Sequence, residues 1–321
     1  SFAEAITLAN ANPGSDIIEI DGSLKIEHSC ITGSPDLFPL KITESVTING
    51  NNATFDGRQF YISKSDGAVN PLFKGDNSCP SSSDGNYFIG GIATGFVEIG
   101  KYGVDATGIE VVINDLNIRS MSAITFVRTG AKLNINNVAF RDIRAIQQCS
   151  APMIQSEGGT DITLNKVSIS HGKNWEYAPI KPMILNDINH QSKLTIIDSI
   201  FQTNYAGSFL IWNGDVNIST SLIENSGSLW LYGGNSKVTN SFINSTDAPD
   251  ETDFLIVNDS KLELLASTIA FGAVDCVTTG SDNCTWGSRN GPFGSIAPIQ
   301  AVNGGHIEFI QSAVQVRYNG D

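Results

Sequence analysis

A short apolar–polar–apolar triplet returns along this chain every 20 to 32 residues through its middle, and no other feature limits the possible folds so tightly. Its copies are Val46-Thr47-Ile48, Val111-Val112-Ile113, Leu133-Asn134-Ile135, Ile162-Thr163-Leu164, Leu194-Thr195-Ile196, Val216-Asn217-Ile218, Leu262-Glu263-Leu264 and Ile307-Glu308-Phe309, with Ser236-Lys237-Val238 as a degenerate copy. Last residues of successive triplets stand at 113, 135, 164, 196, 218, 238 and 264, giving steps of 22, 29, 32, 22, 20 and 26 residues. Alternation with period two sends the two outer members of each triplet to one face of a strand. One strand and its turns cannot bury that face alone, so successive repeats must stack, and head-to-tail repetition makes the stacked strands parallel. The expected fold is therefore all-β, a right-handed parallel β-helix (solenoid).

A second strand precedes each triplet. The segments Ala151–Ile154, Lys181–Ile184, Ser208–Trp212, Ser228–Tyr232 and Asp253–Val257 align so that Met153, Met183, Phe209, Leu229 and Phe254 form an inward ladder. Ile154, Ile184, Leu210, Trp230 and Leu255 then point outward. At the start, Ser1-Phe2-Ala3-Glu4-Ala5-Ile6 reads as a short amphipathic helix ended by Pro13-Gly14, a natural cap for the open end of such a stack. The chain is read as one domain: cap and first coils over 1–60, coils with an inserted loop over 61–110, regular coils over 111–270, and C-terminal coils with a second insertion over 271–321. Gly67–Gly85 and Val274–Gly294 are the inserted loops, rich in Ser, Asp, Gly, Asn and Pro.

Composition supports short strands and tight turns. Only 16% of residues are charged, against about 25% in ordinary domains, and Asn, Ser and Thr fill the deficit. Asn and Gly tolerate left-handed backbone angles, and Ser and Thr close turns. A formal net charge of −14 would repel a nucleic-acid backbone, so no nucleic-acid partner is expected. No run reaches the roughly 20 apolar residues of a membrane-spanning helix, and no span is expected in this segment. The opening residues read as helix, not signal peptide, so the chain is expected to begin after a removed leader or within a longer protein. Of five cysteines, Cys276 and Cys284 bracket a short polar loop and are expected to form a disulfide in an oxidising compartment, with Cys30–Cys79 as a second bridge and Cys149 a buried thiol. Cysteine and histidine spacing suggests no metal site.

The N-terminal stretch Ser1–Ile6, Ala9-Asn10 and Pro13-Gly14-Ser15-Asp16-Ile17-Ile18, continued by Pro39–Ile42, Val46–Gly50 and Ala53–Gly57, resembles the CSLREA-type module that precedes β-helix repeats in bacterial surface and secreted proteins. The family's leading Cys is missing, and Ala3 stands where Arg is usual. Farther on, Ser199-Ile200-Phe201-Gln202-Thr203-Asn204 is similar to the F-x-x-N half of the repeat in polymorphic outer-membrane proteins, without its G-G-A-I companion. The resemblance implies a secreted or cell-surface, adhesin-like protein whose partner is a polysaccharide, or a surface glycan or protein.

Three residues carry the binding expectation: Trp212, Trp230 and Tyr232, read as an exposed aromatic row on adjacent coils that a sugar ring or another protein could stack on, unless an inserted loop covers them. A second grouping, Arg141, Arg144, His171, Lys173 and Tyr177, offers a cation to neutralise a uronate and a base to take its α-proton, as a polysaccharide lyase or other glycoside-cleaving enzyme would need on an acidic polysaccharide. Solvated loop charges account for the same residues. The acidic stretch Asp247, Asp250, Glu251 and Asp253 fits a solvated turn or a weak calcium site, and no other cofactor is expected. A structural spacer of a larger surface protein is the third reading, and needs no site.

Overall fold

The computed structural model describes residues 1–25, 40–56, 96–119, 125–141, 154–173, 184–186, 190–204, 209–224, 229–245, 255–272 and 299–317. Within them one helix, α1 (Phe2–Ala11), is followed by short strands joined in a long parallel sheet. Three strand positions recur in each rung. The first is occupied by Val97–Ile99, Thr125–Val127, Ile154–Ser156, Ile184–Asn186, Leu229–Tyr232 and Leu255–Asn258, and the second by the triplets. Ser168–Lys173, Ile200–Asn204, Leu222–Glu224, Phe242–Ser245 and Thr268–Gly272 take the third. Strand Leu210–Ser219 runs through two positions, pairing Leu210 with Ile184 and Leu229 at one end and Val216 with Leu194 and Ser236 at the other.

The triplets stack in the register their alternation implies. Val111, Leu133, Ile162, Leu194 and Val216 form one column, and Ile113, Ile135, Leu164, Ile196 and Ile218 the next, all inward and at most 1% exposed. The hydrophobic cluster they build runs continuously from Ile6 to Ile269. At its N-terminal end α1 is fixed by a capping box between Ser1 and Glu4. Its Phe2 ring meets Phe55 at 5.0 Å and Phe96 at 5.9 Å. Asn10 extends the pairing pattern with a side chain: its Nδ2 donates to Lys41 O (2.7 Å) and its Oδ1 accepts from Thr43 N (2.8 Å).

A single residue turns each rung from its second strand into its third. Asp115, Asn137, Lys166, Asp198, Thr220, Asn240, Ala266 and Gln311 hold this place with φ between 47° and 54°. Lys, Thr and Ala enter the left-handed region at a cost. From Lys166 to Ala266, the N–H of this residue donates across to the next rung, at 2.9–3.1 Å, and stacking offsets the local strain. The following residue turns inward. It is Leu116, Val138 or Val167 in early rungs and Ser199, Ser221, Ser241, Ser267 or Ser312 in later ones. From Ser221 to Ser312, each serine Oγ accepts the N–H of the serine one rung earlier (3.0–3.2 Å) and donates to the carbonyl two residues before its own (2.7–2.9 Å). A buried hydroxyl with both bonds made costs little, and it supplies an acceptor where the sheet bends.

The expected alignment of the preceding strands is out by one residue. Ile154, Ile184, Leu210 and Leu255 are buried in one column with Leu229, not on the outer face. Phe209 to Trp212 are all apolar, so period two carries no phase there, and a slip of one residue reverses every side chain. Met153, Met183 and Phe254 lie outside the described residues, as do both inserted loops and all five cysteines.

Candidate functional site

Trp212 is not part of an outer aromatic row. It points inward beside Leu231 with 0% exposure, and its Nε1 donates to Ser192 O at 3.2 Å. That bond satisfies the one polar atom of a buried indole, which makes Trp212 a core residue. Trp230 and Tyr232 do face outward, half-buried, two residues apart on the same strand. Trp230 lies between Ile211 and Ile256, and Tyr232 between Asn213 and Asn258. Burial pushes the Tyr232 phenol above its ordinary pKa. Ile256, although outward, is only 6% exposed, so this apolar stripe is covered at that rung.

Of the charged grouping, Arg141 ends strand Lys132–Arg141, exposed, between Arg119 and Ser170. His171 and Lys173 belong to strand Ser168–Lys173, where Lys173 pairs with Asn204 after a register shift. The side chains of His171 and Lys173 lie outside the described residues, as do Arg144, Tyr177 and the acidic stretch 247–253. No base-and-cation constellation is brought together among the described residues.

Two polar clusters are closed. Arg128 Nε donates to Glu98 Oε1 (2.7 Å), and Nη1 to Glu157 Oε1 (2.6 Å), while the guanidinium lies 5.1 Å from the Tyr102 ring centre. Burial opposes its charge, yet the bonds to Glu157 and Glu98 outweigh that and hold its pKa above the usual value. This cation clamps three rungs together through charge-assisted bonds to both carboxylates. Asn186, fully buried, donates to His190 O (3.1 Å) and Asn213 O (2.8 Å) and accepts from Ser156 and Ser192. It satisfies backbone carbonyls at the other corner of the rung.

Among the described residues, a shallow, open groove of about 630 Å³ runs across four rungs beside the left-handed turn. Its polar row is the turn residues Asp198, Thr220 and Asn240, closed by Ala266. Its apolar row is Ile200, Leu222 and Phe242, closed by Thr268, which face outward because each sits between two inward residues. Ile200 is 44% exposed. The Thr220 hydroxyl donates to Asp198 Oδ1, tying the two turn residues of adjacent rungs together. Glu224, two residues beyond Leu222 on the same face of the strand, accepts from Gln202 Nε2 at 2.8 Å. This groove was not anticipated, but its signal is in the sequence. Ser199-Ile200-Phe201, Ser221-Leu222-Ile223 and Ser241-Phe242-Ile243 repeat a pattern whose middle residue is apolar yet must point out.

No helix among the described residues is long and apolar enough to cross a membrane. Compared with known proteins, the chain matches no family model, no curated protein and no solved structure.

Proposed function

We propose that this chain is a right-handed parallel β-helix, secreted or displayed at a cell surface, and that it works as an adhesin-like binding surface for glycans or proteins. The parallel in-register columns support the helix, and the hand follows from the near-universal right-handed crossover between parallel strands. The surface placement rests on the N-terminal resemblance to CSLREA-type modules. Binding is carried by one observation: an open groove in which outward apolar side chains, Ile200 exposed and Leu222 and Phe242 half-buried, lie beside turn residues offering polar atoms over three successive rungs. A row of apolar side chains left partly in water on adjacent rungs supports a contact surface.

Screening the purified chain on glycan and protein arrays tests this reading. Phe242→Ala should weaken any hit about two- to tenfold, since one aromatic contact contributes roughly 0.5–1.5 kcal/mol beyond its area. The same change should leave folding intact, because the ring lies on the outer face. Hits that depend on Trp230 and ignore Phe242 would move the site to the first strand position, and an array with no hit would favour a spacer.

A further inference from the structure

We infer that the groove takes an uncharged, polyhydroxylated polymer, a neutral polysaccharide, lying with its long axis across the rungs. The inference rests on the binding reading above and names its ligand.

Equivalent positions line the groove at each rung, so an outward apolar side chain beside a polar turn residue recurs over three rungs, about every 4.8 Å along the stacking direction. A surface that repeats in one direction is matched best by a ligand built of repeated units. The two rows differ in kind. Ile200, Leu222 and Phe242 present carbon surface, and Asp198, Thr220 and Asn240 present acceptors and donors. A pyranose has the same division, with C–H faces that pack on apolar side chains and a rim of hydroxyls that both donate and accept.

Charge decides which polysaccharide. Asp198 is the only acidic or basic residue among the described residues of the lining; Thr220 and Asn240 hold its place at the next two rungs. Glu224 stands just outside and is engaged by Gln202, and Lys166 holds the turn position one rung before Asp198. Charge therefore does not repeat along the groove in either sign. A polymer charged on every unit, whether uronate, sulfate or amine, would find no matching row, and an anionic one would also meet Asp198, Glu224 and a chain of net charge −14.

Calorimetry with neutral oligosaccharides (xylo-, manno- and cello-series) and with oligogalacturonates, each of two to eight units, tests this. Affinity for a neutral series should rise with length and level off once four rungs are spanned. Oligogalacturonates of equal length should bind at least tenfold more weakly, with the gap narrowing in high salt and in Asp198→Asn. Asn keeps the left-handed turn accessible, and Glu224→Gln provides a second charge variant should the first not fold. Preference for the acidic series, or affinity independent of length, overturns the inference while leaving the groove a binding site. A Phe242-dependent protein hit with no oligosaccharide binding also overturns the inference and leaves the binding reading standing. Loss of every Phe242-dependent hit overturns both.

Discussion

At the scale of single residues, the direction of a side chain separates two tryptophans that look alike in the sequence. Trp212→Ala should cost about 3–5 kcal/mol in stability, because it empties a filled core position and leaves Ser192 O without its donor. Trp230→Ala, on the outer face, should cost clearly less. Urea denaturation of both variants measures the difference, and equal losses would contradict the observed register. Tyr232 provides a pH test. Its phenol is held above the ordinary value of 10.0 by burial, so between that value and the higher folded one the native state holds a proton that the unfolded chain releases. Stability should therefore fall as pH rises above about 10, and Tyr232→Phe should flatten that part of the curve. Thermal melts from pH 9 upward would show no such flattening if the ring were solvated.

At the scale of strands, parallel in-register stacking places every residue over its counterpart, which would pile like charges on one another. The outward column at the start of the second strand avoids this: Glu110, Lys132, Asp161, Lys193 and Asp215 alternate in sign from rung to rung. Lys193 Nζ lies 3.6 Å from Asp161 Oδ2, and farther on Lys237 meets Glu263 at 2.6 Å. Each exposed pair contributes little, yet the alternation disfavours a rung that slips. Lys193→Glu would put three carboxylates in adjacent rungs and should destabilise by up to about 1 kcal/mol at low salt, an effect that shrinks as salt screens it. Chemical denaturation in low and high salt is the measurement, and a salt-independent loss would point to packing instead.

At the scale of the whole molecule, each rung touches its neighbours, so stability is expected to vary along the stack. The N-terminal end is closed by α1. In the last described rung, Phe309 occupies the inward column of Leu264 yet is 44% exposed. Leu264→Ala should therefore cost about 2–5 kcal/mol and Phe309→Ala distinctly less, despite its larger side chain. Hydrogen exchange should show the amides of His306–Ile310 opening before those of Ser192–Ile197. Uniform protection across both would mean that the molecule opens only as one unit.

The sequence alone determined the parallel stack and the inward residues of its second strand, because strict alternation over a repeated triplet leaves one consistent phase. It also determined α1, whose capping residues and Pro-Gly stop are local signals. Tertiary structure decided the rest, for three physical reasons. In Phe209–Trp212 both faces are apolar, so nothing local distinguishes in from out, and only pairing with Ile184 and Leu229 sends Trp212 to the core. The serine column is legible as a repeated letter, but its meaning lies in bonds that cross from rung to rung over 20 to 45 residues. The groove exists only where four such rungs are stacked, since Asp198, Thr220 and Asn240, each a lone turn residue in the chain, become a row when the backbone returns to the same place.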